Sequence, residues 1–172
     1  MSEIERTRTR ERPPIKQNPY ERNLQYRREL KERNLTGPVV VRATDREFFT
    51  SRQGHLKFFL DPLSFKDTPL QHWRVFTHEV RTKSGRHRHQ GGLIIYVVEG
   101  LGYSIVDGER KDWKTGDLLL LPMKPGGVEH QHFNLDSQKP AVWVAFIHIP
   151  IIEHVASDLQ QTEASPDFKE GT

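Results

Sequence analysis

An all-β domain folded as an antiparallel barrel or sandwich is predicted from residue 39 onward, on two observations. The first is a series of short β-rich runs split by turn residues, at residues 39–44, 56–60, 74–82, 93–98, 103–106, 117–121 and 142–149. The second is the turn chemistry between them. Asp107-Gly108 separates Ser104-Ile105-Val106 from Glu109-Arg110-Lys111, and a type I′ hairpin needs positive φ at both central positions. Lys114-Thr115-Gly116-Asp117 makes a second tight turn, and no internal repeat is visible.

The 172 residues, 34% of them hydrophobic, suit one core rather than two. Residues 1–38 form a basic arm, 39–157 the barrel and 158–172 a flexible tail. Within the arm, Arg6, Arg8, Arg10, Arg12 and Pro13-Pro14 leave few apolar groups to bury, so an extended segment is expected. One helix follows. Asn18 suits the N-cap, Pro19 the first helical position and Glu21 the capping-box acid, while Gly37-Pro38 stops the helix. Tyr20 with Leu24, and Tyr26 with Leu30, are i,i+4 pairs that can pack on the barrel or on a partner subunit.

Net charge is only +3, and residues 1–40 hold ten Lys/Arg against six Asp/Glu, so that segment carries +4 and the remainder −1. The basic arm lacks the aromatic-interleaved platform of nucleic-acid binders, and nucleic acid is not the expected partner. The N-terminus has no secretory apolar core and no run is long enough for a membrane span, so a soluble cytoplasmic protein is expected. There is no cysteine. Thiolate metal sites are therefore excluded, and any metal must sit on imidazole, carboxylate or amide groups.

Nine histidines remain, and their spacing is informative. His87 and His89 lie two apart in Gly85-Arg86-His87-Arg88-His89, and His130 and His132 lie two apart in a later β-like segment. Residues i and i+2 of a strand share a face, so each pair can point into a barrel while Arg88 points out. Three or four neutral imidazoles around one interior point suit iron, zinc, copper or nickel.

Residues 85–100, beginning Gly85-Arg86-His87-Arg88-His89 and ending Val98-Glu99-Gly100, resemble the first cupin motif, an H-x-H pair ahead of a strand ending in glycine. Residues 116–134 are similar to the second: Gly116 lies six residues before Pro122, and His130 lies four before Asn134. The resemblance covers roughly residues 75 to 148 and implies the cupin double-stranded β-helix, a jelly-roll barrel, with an N-terminal helical arm. It also implies a divalent metal on His87, His89 and His130, with His132 either a neighbouring group or a fourth ligand. The chain departs from the pattern at Leu93, where cupins usually carry a glutamate ligand.

The segment most resembles the gentisate and salicylate 1,2-dioxygenase branch, which implies Fe(2+), although Zn, Mn, Ni or Cu also suit the donors. A three-histidine site leaves a divalent ion at +2 and favours an anionic chelating small molecule, such as a hydroxylated aromatic acid or an enolate. Arg74, Arg81, Arg86 and Arg88 are candidates to grip a carboxylate, Arg88 ranking lowest because alternation turns it outward, and His148 and His78 could line the cavity as acid or base. Of these, Arg74, His132 and His148 are carried forward as candidate catalytic residues. Trp73, Phe76, Tyr96, Trp143 and Phe146 can wall a pocket or fill the core. Alternative readings are a metal-dependent lyase, isomerase or decarboxylase, or a non-catalytic ligand-binding cupin. A homodimer is expected, with the arm covering a neighbouring barrel.

Overall fold

The computed structural model describes residues 18–170, and the chain divides into two units after Gly37. Helix α1 (Pro19–Thr36) begins as its sequence dictates. The Asn18 side chain accepts a hydrogen bond from the Tyr20 amide at 2.9 Å, and Gly37 donates back to the Arg33 carbonyl at the other end. Gln25 to Glu29 and Arg27 to Asn23 link successive turns. The arginine-rich stretch of the arm lies outside the described residues.

The second unit starts with a correction. Residues 39–44 do not form a strand; a 3₁₀ turn at Ala43–Asp45 follows extended chain, closed by Asp45 accepting from the Arg42 amide at 2.7 Å. Val39 is 99% exposed. Its β-branched run has no neighbouring strand to pair with, and β propensity expresses little without one.

Eleven strands follow: β1 (Phe49–Ser51), β2 (Gly54–Leu60), β3 (Trp73–Val80), β4 (Arg86–His89), β5 (Leu93–Glu99), β6 (Leu101–Val106), β7 (Glu109–Lys114), β8 (Leu118–Leu121), β9 (Val128–Asn134), β10 (Ala141–His148) and β11 (Gln160–Glu163). A short helix α2 (Ile149–His154) lies between β10 and β11. They build a six-stranded sheet, β1-β2-β3-β10-β5-β8, and a five-stranded sheet, β11-β4-β9-β6-β7. Every pairing is antiparallel. The β6–β7 hairpin turns on Asp107 at φ 49° and Gly108 at φ 86°, as its dipeptide predicts.

Strand alternation sets the core. Leu93, Ile95 and Val97 of β5 point inward with Phe76 and Val80 of β3, Trp143 and Ala145 of β10, Leu56 of β2 and Leu121 of β8. Each large side chain buried in this way contributes about 1.5–3 kcal/mol. A second correction concerns the tail, since Gln160–Glu163 pairs with β4 and Glu163 forms ion pairs with Lys83 and Arg86. Its polar sequence fits a strand that closes a sheet edge with one face in water.

Candidate metal centre

β4 and β9 are neighbours in register, with His87 opposite His130 and Arg88 opposite Glu129. That pairing puts His87, His89 and His130 on one face, so the i, i+2 spacing converges on a point inside the barrel. One ring nitrogen from each of the three lies within 4.8 Å of the other two. The ring centroids of His87 and His89 are 4.2 and 4.9 Å from that of His130. Arg88 faces the other way and pairs with Glu129 at 3.8 Å.

Burial pushes all three imidazoles toward the neutral, ligating form. His87 drops to about 4, chiefly from desolvation, with the His89 charge adding to it and a backbone contact from Gly85 working weakly against. His130 falls well below its ordinary value for the same first reason, reinforced by His87, His132 and His89, and His89 is lowered by burial as well. Two contacts fix the rings: the Gly91 amide donates to His89 Nδ1 at 3.0 Å, and His130 Nδ1 meets the Val128 carbonyl at 3.3 Å. The buried Nδ1 of His87 has no hydrogen bond of good geometry. Three converging neutral nitrogens, one ring still holding an unpaired buried atom, fit a divalent cation better than they fit a packed core.

His132 lies beside this cluster, its ring 5.4 Å from that of His130, and is fully buried. Its Nδ1 shares a 2.7 Å hydrogen bond with Ser104 Oγ, which accepts from Trp113 Nε1 at 2.9 Å. Gly102 permits this arrangement, because a Cβ there would collide with the Trp113 ring and the Phe133 carbonyl. His78 of β3 is also interior, its ring 4.8 Å from Trp143. His148 is not brought to the cluster. It alternates with the inward Trp143 and Ala145 of β10 and packs against His72 and Trp73, at 5.6 and 5.1 Å between centroids. Tyr96, Phe146 and Trp73 likewise lie on outward-facing positions, whereas Phe76 and Trp143 are in the core.

A cavity of about 650 Å³ opens beside the histidines, and His89, Leu93, Phe76, Arg74 and Asp61 line it. Arg74 Nε donates to Asp61 Oδ1 at 2.9 Å. Burial alone would raise the Asp61 carboxyl, yet hydrogen bonds from Ser64 and Arg74 outweigh it and hold the group below its usual range. The pair is therefore ionised, and Asp61 fixes Arg74 by one nitrogen while its two terminal nitrogens face no protein acceptor among the described residues. Sequence reasoning missed Asp61 and Ser64; the signal was an Asp closing a strand with a Ser three residues on, the pattern of a side-chain-closed turn.

With this geometry in hand, the comparisons are decisive for fold. Residues 74–147 match the family Cupin_2, described as Cupin domain. The barrel has the cupin fold. Within it, one stretch of 84 residues is 33% identical to a gentisate 1,2-dioxygenase of Ralstonia sp, covering 45% of this chain and 22% of the relative. The chain thus spans about a fifth of the length of that relative. A solved salicylate 1,2-dioxygenase variant of Pseudoaminobacter salicylatoxidans in complex with gentisate is 23% identical over 88% of this chain and 41% of its own, at a TM-score of 0.50. The polyketide cyclase RemF of Streptomyces resistomycificus is 16% identical over 76% of this chain and 89% of its own, at a TM-score of 0.52. The chain resembles the gentisate and salicylate dioxygenase branch in sequence, and the two solved structures bear on its fold.

Proposed function

We propose that the protein is a metal-dependent oxygenase that acts on a small anionic oxygenated molecule, a hydroxylated aromatic acid being the best fit. The observation that carries this reading is an uncharged three-histidine cluster, one member of which, His89, lines a cavity that also carries the ion-paired Arg74 in its wall. His87, His89 and His130 would hold the ion, and Fe(2+) suits both the imidazole donors and the relatives. When bound, such an ion would supply Lewis acidity and one-electron chemistry.

The chain's own residues supply the rest. Leu93 keeps a negative charge away from the ion, so an anionic chelating substrate is favoured electrostatically over water. Arg74 can take a carboxylate through its two free terminal nitrogens, because Asp61 occupies the third. His132, tied to Ser104, backs His130 and keeps that wall rigid rather than reaching the substrate. The apolar lining from Leu56, Phe76 and Leu93 excludes water around a flat ring.

The test is dioxygen uptake by anaerobically purified, iron-loaded protein offered gentisate, salicylate, catechol and β-diketones. Stoichiometric uptake with at least one of them is the expected result. Equal turnover without dioxygen would move the protein to lyase or isomerase chemistry, and tight binding with no turnover would make it a ligand-binding cupin.

A further inference from the structure

The cavity beside the metal centre is larger than one aromatic ring requires. Its volume of about 650 Å³ equals that of roughly 20 waters at about 30 Å³ each, and falls in the middle of the ~300–1,000 Å³ range of pockets that bury drug-sized ligands. Its lining is ordered. Phe49 of β1, Phe58 of β2 and Phe76 of β3 share the inner face of three neighbouring strands, with Phe58 directly opposite Phe76 in register. Successive ring centroids are 5.2 Å apart at both steps, and all three rings line the cavity. This aromatic strip runs from Phe49, 40% exposed, to the buried Phe76. Arg74 stands over its middle, the guanidinium carbon 6.0 Å from the Phe58 centroid. Two further apolar lining residues come from other segments, Leu63 at 81% and Leu159 at 55% exposed. Single exposed apolar residues are ordinary, but three from separate segments around one opening mark a surface that a ligand covers.

Resting on the reading of this site as one for a hydroxylated aromatic acid, we infer that the substrate carries two or three fused rings, and that Phe49, Phe58 and Leu63 set this preference. A single ring with its anionic head on Arg74 meets only the inner part of the strip. Fused rings extend the same flat surface toward Phe49 and cover the aliphatic rim. Three features select that occupant. Phenyl rings about 5 Å apart in tilted and edge geometry suit contact with a further aromatic plane. A rigid ring system fills such a wall without the ordering cost of a flexible chain. Among the described residues, Asp61 is the one acid in the lining, and Arg74 already neutralises it, so an anionic head meets no uncompensated negative charge.

Calorimetric titration tests the inference, run without dioxygen on the full chain with and without zinc. The ligands are salicylate, 3-hydroxy-2-naphthoate and 3-hydroxyanthracene-2-carboxylate, which share one head group and differ in ring number. Each added ring buries apolar area worth roughly tenfold in affinity, so the dissociation constants should span about 100-fold. In the Phe49→Ser, Leu63→Ser double variant that span should shrink below about tenfold. Both side chains are exposed, so the core stays intact, and circular dichroism checks this. Arg74→Gln separates the two readings. It should weaken all three acids in parallel; if it weakens none, the head-group reading of the site falls, while the dependence on ring number still decides this one. Equal affinity for the three acids, binding of none, or an undiminished span in the double variant overturns the inference.

Discussion

The two sheets of the barrel divide its work in opposite ways. The five-stranded sheet is polar on its inner side, where His87, His89, His130, His132 and Ser104 gather, and charged on its outer side, where Arg88 meets Glu129 and Arg110 meets Asp112. Its six-stranded partner is largely apolar on both, with His78 and Arg74 of β3 the polar groups on its inner side. Leu56, Phe76, Ile95 and Trp143 face inward, and Leu118, Leu120, Ile94 and Tyr96 face outward. The difference shows how a small barrel keeps a polar interior folded. One wall carries the converging imidazoles of His87, His89 and His130, and the other provides most of the apolar surface packed against them.

That division can be broken one side at a time. The largest effect is expected from His130→Ala, which should weaken metal binding by more than ~100-fold in a competition titration, since a ligand matters more than the outer groups that typically contribute 10–100-fold. The same variant should stay folded, and metal affinity unchanged within threefold would erase the distinction between the sheets. Ile95→Ala is the converse. Fully buried in the apolar wall, it should lower stability by about 2–5 kcal/mol in urea unfolding while metal stoichiometry survives.

Acid acts on the buried imidazoles, most of them on the five-stranded sheet and one, His78, on β3 of the other. His87 is held at about 4 and His78 at about 3, below the value near 6.5 of an unfolded chain. As pH falls below about 6.5 the unfolded chain therefore takes up protons that the folded one refuses, and metal-free stability should drop steadily from there to about pH 4. Above pH 6.5 these groups contribute no slope. Urea midpoints at pH 7.5, 5.5 and 4.5 measure this, and a flat profile would contradict the neutral-imidazole assignment. Ser104→Ala leaves Trp113 Nε1 and His132 Nδ1 without their shared partner, for a loss of about 1–3 kcal/mol. The smallest change belongs to the outer charged face: Arg110→Ala should leave the urea midpoint within experimental error of the wild type, because exposed ion pairs such as Arg110–Asp112 are screened by solvent and contribute little.

Much of this architecture was legible in the sequence because it depends on period-two patterns. The two H-x-H pairs project onto a strand face whatever the tertiary context, and Asp107-Gly108 demands its hairpin. Leu93 could be read as a lost carboxylate by counting from Gly100. Parity was harder. Alternation along β10 puts His148 on the side of Phe146 and opposite Trp143, and only the packed barrel decides that this side faces outward. Pairing was hardest. Residues 39–44 have β-branched side chains but no neighbour, whereas Gln160–Glu163 has poor β composition and a vacant edge at β4 to fill. Strand formation followed the available partner in both cases. Asp61 escaped notice for a related reason, since its role lies in aiming Arg74 across 13 residues.

Metal analysis is the most direct test of the central claim. Protein purified anaerobically, alongside a His87→Ala, His130→Ala double variant, is assayed for bound divalent metal per chain. One equivalent in the wild type and less than a tenth in the variant is the predicted result; equal metal in both, or none in the wild type after loading, would contradict the three-histidine centre.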